Sequence, residues 1–168
     1  MNISGYIKES IVDGEGVRAV IFFSGCSHGC PGCHSPQTHD RNSGEPFTLE
    51  RQLKIIEEIK NNPLLSGVTL SGGDPFFSAY EVLKFVKLLR TEIPNINVWA
   101  YTGFTYEQLT RNKMNIANKL LCECNVLVDG KFDISKRDTT LRFKGSSNQR
   151  IIDVQKSLTE NNLIIYMN

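Results

Sequence analysis

Short apolar runs alternate along this chain with stretches of helical period. Residues 17–23 (VRAVIFF) form an apolar, branched and aromatic run of the kind that makes a buried strand. Residues 68–70, 98–101 and 126–128 are shorter runs of the same type. Between them, Leu49, Leu53 and Ile56 keep helical spacing until Pro63 forbids continuation. Ser78 and Glu81 read as a capping box ahead of Val82, Phe85, Val86 and Leu89 on one helical face. Thr105 and Gln108 repeat that start signal before a less regular third helix.

Alternating strands and helices predict a mostly parallel sheet with right-handed crossovers. The chain is short for eight strand–helix units, so the expected fold is α/β, an incomplete, open parallel (β/α) barrel formed by residues 1–168 as one domain. Parallel architectures carry their sites at the carboxyl ends of the strands. Each unusual motif here follows a predicted strand: a cysteine loop the first, Gly72-Gly73-Asp74-Pro75 the second, Thr102-Gly103 the third and Asp129-Gly130-Lys131 the fourth. Four motifs therefore converge on one rim.

Composition narrows the picture. The 168 residues are 40% hydrophobic and 22% charged, and their net charge of +1 offers no electrostatic footprint for nucleic acid. No apolar stretch reaches the length of a membrane span, and residues 1–10 lack the apolar core of a signal peptide, which predicts a cytoplasmic location. Three of the five cysteines crowd into one loop, and in a reducing compartment such clusters read as metal ligands or redox groups.

That loop reads Cys26-Ser-His-Gly-Cys30-Pro-Gly-Cys33, a C-x3-C-x2-C spacing. Gly29 and Gly32 tolerate the backbone angles of a tight loop, so three thiolates can face a common point. Three thiolates ligate three irons of a cubane and leave the fourth open, whereas electron-transfer clusters usually take four cysteines. The alternative is structural zinc, completed by His28, His34 or His39. Of these histidines, His28 and His39 read as ordinary loop residues. Cys122 and Cys124, at a helix-to-strand junction, read as packing residues. The glycine pair of Gly72-Gly73-Asp74-Pro75 permits close backbone approach to a ligand, and Asp74 adds a carboxylate suited to an ammonium group. Taken alone, the same four residues are also good turn chemistry.

Cys26, Cys30 and Cys33 together with Gly72-Gly73-Asp74-Pro75 resemble the radical S-adenosylmethionine (SAM) superfamily. A narrower likeness, to the activating enzymes of glycyl radical proteins, extends over Asp13-Gly14-Glu15-Gly16-Val17-Arg18, Tyr101-Thr102-Gly103-Phe104, Val128-Asp129-Gly130-Lys131-Phe132 and Gly145-Ser146-Ser147-Asn148-Gln149-Arg150. Asp74 departs from the more usual Glu. Ser35 and His39 stand where Asn and Trp are expected, beside the adenine pocket.

The resemblance implies a barrel of the radical SAM type, with a [4Fe–4S] cluster on Cys26, Cys30 and Cys33 and SAM as second cofactor. It implies SAM contacts from Gly32, Cys33, His34, Gly72, Gly73, Asp74, Thr102 and Gly103, and SAM or partner contacts from Asp129, Lys131, Asn148 and Arg150. SAM would be cleaved to a 5′-deoxyadenosyl radical that abstracts hydrogen from a glycine of a partner protein. Short length and the absence of further cysteine clusters point to anaerobic ribonucleoside-triphosphate reductase as that partner, with a one-electron donor such as a flavodoxin and a homodimeric assembly as further expectations. A Gly73→Val change is expected to weaken SAM binding and spare iron. Three rivals stand beside this reading: an activator of pyruvate formate-lyase type, a radical SAM enzyme acting on a small molecule, and a zinc-stabilised module without catalysis. For residues 145–150 the alternative is a solvated turn before Ile151 and Ile152.

Overall fold

The computed structural model describes Met1–Asn168. In chain order its elements are β1 (Asn2–Ser10), β2 (Arg18–Phe23), β3 (Glu45–Pro46), α1 (Leu49–Lys60), β4 (Gly67–Gly72), α2 (Ala79–Glu92), β5 (Val98–Tyr101), α3 (Tyr106–Thr110), α4 (Ile116–Cys122), β6 (Val126–Asp129), β7 (Arg150–Asp153), α5 (Val154–Glu160) and β8 (Ile165–Met167). All eight strands join one open sheet in the order β3-β1-β2-β4-β5-β6-β7-β8. The four strands expected from the apolar runs, β2, β4, β5 and β6, lie side by side and parallel at its centre. The strands outside them pair antiparallel, β1 with β2 and β3 on one flank and β7 with β6 and β8 on the other. The fold is thus mixed α/β, with a parallel centre between antiparallel wings.

Both faces of the central strands are covered, which is why their sequences are apolar without alternation. Ala19, Ile21, Phe23, Val68, Leu70, Val98, Ala100 and Leu127 face the helices and meet Ile55, Ile56, Val82, Phe85, Leu89 and Leu120 in the main core. Each such aliphatic or aromatic side chain contributes about 1.5–3 kcal/mol by leaving water. On the opposite face Trp99, Val126, Val128 and Ile151 form a smaller cluster, covered by Tyr101, Phe143 and Met167.

Two local expectations are corrected. In α1 the inward face carries Ile55, Ile56 and Ile59, while Leu49 and Leu53 are 62% and 46% exposed. The 49/53/56 stripe and the 55/56/59 stripe both have helical period, and packing against the sheet chose the second. The Ser78–Glu81 capping box does not form. The chain already turns as a 3-10 helix over Pro75–Ser78, capped by Asp74 through the Phe76 N–H, so Ser78 enters α2 buried and without a capping bond. The second box is real: Thr105 Oγ1 accepts from Gln108 N–H at 3.3 Å, and Gln108 Oε1 accepts from Thr105 N–H at 2.8 Å.

At the foot of the sheet, Arg18 is 1% exposed and stacks on Trp99, 5.2 Å from the ring centroid. It donates to Thr69 Oγ1, to the carbonyls of Val68 and Asn97 and to Asn97 Oδ1 at 2.8–3.0 Å. No carboxylate forms an ion pair with it, and burial pulls its pKa down to about 10. The segment Asp13-Gly14 closes over this cation, since a Cβ on Gly14 would lie 2.7 Å from Arg18 Cδ and 2.9 Å from the Trp99 ring. No helix is long and apolar enough to cross a membrane.

Candidate cluster and cofactor site

The cysteine loop leaves the carboxyl end of β2 and has no regular structure until the 3-10 turn at Pro36–Thr38. Its root is tied to the neighbouring loops by backbone bonds: Gly25 N–H to Thr38 O, Cys26 N–H to His39 O and Asp74 N–H to Gly25 O, at 2.8, 3.1 and 3.0 Å. Cys26, Cys30 and Cys33 are half-buried free thiols. Gly29 and Gly32 between them have φ of +63° and +71°, in the left-handed region that glycine enters without strain. Burial pushes the Cys26 thiol pKa up, the charges of Asp74, Cys30 and Cys33 add to the rise, and the His28 backbone N–H works against it. A ligand role for Cys26 therefore includes losing its proton when iron binds.

The donor set suits a cubane: three soft thiols on one loop, with no salt bridge to them. No three His, Cys, Asp or Glu side chains are drawn together closely enough to hold a single metal ion. Of the histidines weighed as zinc ligands, His34 is exposed. His39 Nε2 lies 3.3 Å from Cys33 Sγ, and the His28 ring is directed at Asp74 instead of the thiols.

Gly72 and Gly73 end β4 beside this loop. A Cβ on Gly73 would lie 2.6 Å from Gly25 O and 2.8 Å from Thr38 O, so the turn packs directly on the root of the cysteine loop. Asp74 is 1% exposed, and both its oxygens are taken. Oδ2 accepts from His28 Nε2 at 2.7 Å, Thr102 Oγ1 at 2.8 Å and Gly103 N–H at 3.0 Å, and Oδ1 accepts from Phe76 N–H at 2.9 Å. Thr102 and Gly103 therefore join the site through Asp74.

The last strand end forms a second group. Asp129, 1% exposed, accepts from Tyr106 N–H at 2.7 Å and from Arg150 Nε at 2.9 Å. Arg150 also grips Glu107, whose carboxyl it holds down at about 2. The charged fork of Arg150 is thus already engaged by two carboxylates of its own chain. Asn148 Nδ2 donates to Lys131 O at 2.9 Å, and Gln149 Nε2 to Gly130 O at 2.9 Å, so residues 145–150 clasp the Gly130-Lys131 turn. Pro31, Glu107, Asp129, Lys131, Asn148 and Arg150 help to line a cavity of about 750 Å³ between this group and the cysteine loop. Lys131 Nζ lies 3.3 Å from the carbonyl of His28 and bridges the two groups.

The structure thus gathers every candidate residue at the carboxyl ends of four adjacent parallel strands, in two groups. Cys122 and Cys124 lie elsewhere, at the α4–β6 junction. Cys124 is fully buried, donates to Leu120 O and has its thiol pushed up to about 12 by burial, while Cys122 is exposed. Two residues bonded into these groups carried no signal in the sequence beyond the weighing of His28 as a zinc ligand or ordinary loop residue. His28 sits in an aperiodic loop, and Glu107 looks like any acid in the first turn of a helix.

The family model described as a 4Fe-4S single cluster domain matches residues 12–152. The chain is 39% identical over 152 residues to an anaerobic ribonucleoside-triphosphate reductase-activating protein of Escherichia coli strain K12, covering 89% of this chain and 96% of that protein. It is 38% identical over 154 residues to the protein of that name from Vibrio cholerae, covering 90% and 97%. To the one from Enterobacteria phage T4 it is 29% identical over 153 residues, covering 90% and 93%. With its three free thiols on one loop and an alignment that runs nearly end to end, the chain belongs to the family of anaerobic ribonucleoside-triphosphate reductase-activating proteins.

Proposed function

We propose that this chain is a radical SAM activase, a cytoplasmic enzyme whose 168 residues act as one domain of the partial-barrel radical SAM type and whose partner is the glycyl radical subunit of anaerobic ribonucleoside-triphosphate reductase. The observation that carries the reading is the loop of three free thiols seated on the diglycine turn of β4, in a chain whose relatives bear that activating name. When bound, a [4Fe–4S] cluster reduced by a one-electron donor such as a flavodoxin supplies the electron that splits SAM into methionine and a 5′-deoxyadenosyl radical, which takes a hydrogen atom from a glycine of the reductase.

The chain's own residues hold, orient and exclude. Cys26, Cys30 and Cys33 would hold the cluster, and three thiolates for four irons would leave room there for the amino acid end of SAM. Gly72 and Gly73 offer it a backbone free of side chains, and Asp74, Thr102 and Gly103 hold that turn from beneath. Gly32, Cys33 and His34 border the adenine. Asp129, Lys131, Asn148 and Arg150 shape the neighbouring cavity, which has room for the rest of SAM or for a partner loop. Fixing the reacting groups and keeping out stray hydrogen donors is the protein's share of radical chemistry.

The test is anaerobic incubation of the reduced, reconstituted protein with SAM and a reductase whose glycine α-carbons are deuterated. A stable, oxygen-sensitive radical seen by electron paramagnetic resonance, with deuterium recovered in 5′-deoxyadenosine, is the expected result. Deuterium retained by the reductase while SAM is cleaved and a small molecule is converted would replace this reading with the metabolite-enzyme one.

A further inference from the structure

Midway between Cys26 and Cys30, His28 is the residue on which three strand-end loops converge. Its side chain is only 8% exposed, although Ser27 and Gly29 on either side of it are exposed. From the loop after β4, Asp74 Oδ2 receives its Nε2 at 2.7 Å, and the ring of Phe77 lies 5.0 Å away, centroid to centroid. From the loop after β5, Phe104 packs edge-on at 4.6 Å, and the imidazole fills the space that any side chain on Gly103 would need. From the loop after β6, Lys131 Nζ reaches its carbonyl at 3.3 Å.

Asp74 is already committed within the chain in this arrangement. Its two oxygens already accept four hydrogen bonds from its own chain. The other ties of the cysteine loop are at its ends, through Gly25 and Cys26 to Thr38, His39 and Asp74 and through Cys33 Sγ to His39 Nε2, and within itself from Cys33 N–H to Cys30 O. Between Cys26 and Cys30, the His28 side chain and carbonyl are what join the loop to the rim.

We propose that His28, oriented by Asp74, is the positioning residue of the cluster loop, holding the segment between Cys26 and Cys30 against the rim. The inference rests on the assignment of Cys26, Cys30 and Cys33 as cluster ligands. It makes Asp74 a positioning residue that acts through His28. The anchor fixes the backbone between the two thiols, and the surroundings of cluster sulfurs set the reduction potential. Loss of the anchor therefore alters the cluster's spectrum and potential as well as its retention.

The first measurement uses the full-length iron-free protein under anaerobic conditions, with alkylation of each thiol followed by mass spectrometry and the exposed Cys122 as internal reference. His28→Ala and Asp74→Asn should each speed labelling of Cys26 and Cys30 by about tenfold, the scale of one lost hydrogen bond to a charged group. His28→Phe keeps a ring between Phe77 and Phe104 but cannot bond to Asp74. It should retain the fold by circular dichroism and still label fast, so it decides the matter if His28→Ala fails to fold. After reconstitution, the variants should show a broadened electron paramagnetic resonance signal and a shifted midpoint potential, and the His28→Phe, Asp74→Asn pair should be no worse than either change alone. Parental labelling rates and a parental cluster spectrum in folded His28→Phe would overturn the proposal. A parent chain that assembles no cubane would sink the ligand assignment instead, and the labelling rates would still decide whether His28 pins the loop.

Discussion

Arg150 and Glu107 meet fork to fork, Nη1 3.0 Å from Oε1 and Nη2 2.8 Å from Oε2, and so tie the start of β7 to the first turn of α3. The pair closes one wall of the cavity beside the cysteine loop. It also leaves Asp129 to be neutralised by the same guanidinium.

The pH dependence of this contact has a definite sign. Hydrogen bonds from Arg150 lower the Glu107 pKa from 4.5 to about 2, so its contribution is complete above 4.5 and is lost as the pH falls toward 2. Because Glu107 is 60% exposed, solvent screening limits the pair to roughly 0.5–1 kcal/mol. Glu107→Gln should therefore lower stability in urea by about that amount at pH 7. The gap between variant and parent should narrow steadily between pH 4.5 and 2, and a constant gap across that window would contradict the assignment.

Iron content separates the two sets of cysteines. Cys26→Ala, Cys30→Ala and Cys33→Ala should each abolish the cubane in anaerobic reconstitution, measured as iron and acid-labile sulfide. A Cys122→Ala, Cys124→Ala double variant should keep it and lose only about 1 kcal/mol, because the Cys124 sulfur fills core space. A folded double variant without a cluster would show the ligand assignment to be wrong.

Gly73 and Gly29 should behave oppositely. From the motif alone, Gly73→Val is expected to spare iron, but the packing changes that expectation. A side chain there meets the backbone of Gly25 and Thr38, which cannot give way without moving the root of the cysteine loop. Both iron content and SAM affinity should fall. At Gly29 a Cβ meets nothing within 4 Å, so Gly29→Ala should cost only about 1 kcal/mol for its left-handed backbone and keep the cluster. Full iron loading in Gly73→Val would show that the two loops are not coupled.

Arg18 lies at the foot of the sheet and should matter for folding alone. Arg18→Ala removes the donors on which Thr69, Val68 and Asn97 depend, at about 3 kcal/mol or more. Arg18→Lys should recover little, since an ammonium cannot reproduce the planar fork or its stacking on Trp99. Equal melting temperatures for Lys and Arg at this position would refute the account.

The order of residues by itself determined the parallel centre and the contents of the rim. Short branched and aromatic runs such as VRAVIFF are typical of strands covered on both faces, and a loop of three cysteines after the first such run then lies where parallel strands end. The Thr105–Gln108 box was equally legible, because a capping box is a contact across three residues. The antiparallel wings were not. β1 carries Gly5 and three exposed residues and lacks the apolar run that betrayed the central strands, and the run around β8 (residues 163–167, LIIYM) does not record which strand it pairs with. Only the tertiary structure decided that Asp74 faces inward to His28 and that Arg150 takes Glu107 and Asp129. Each of those choices joins residues far apart in the chain, and a carboxylate or guanidinium finds its partner by which loops the sheet brings together, which no local periodicity records.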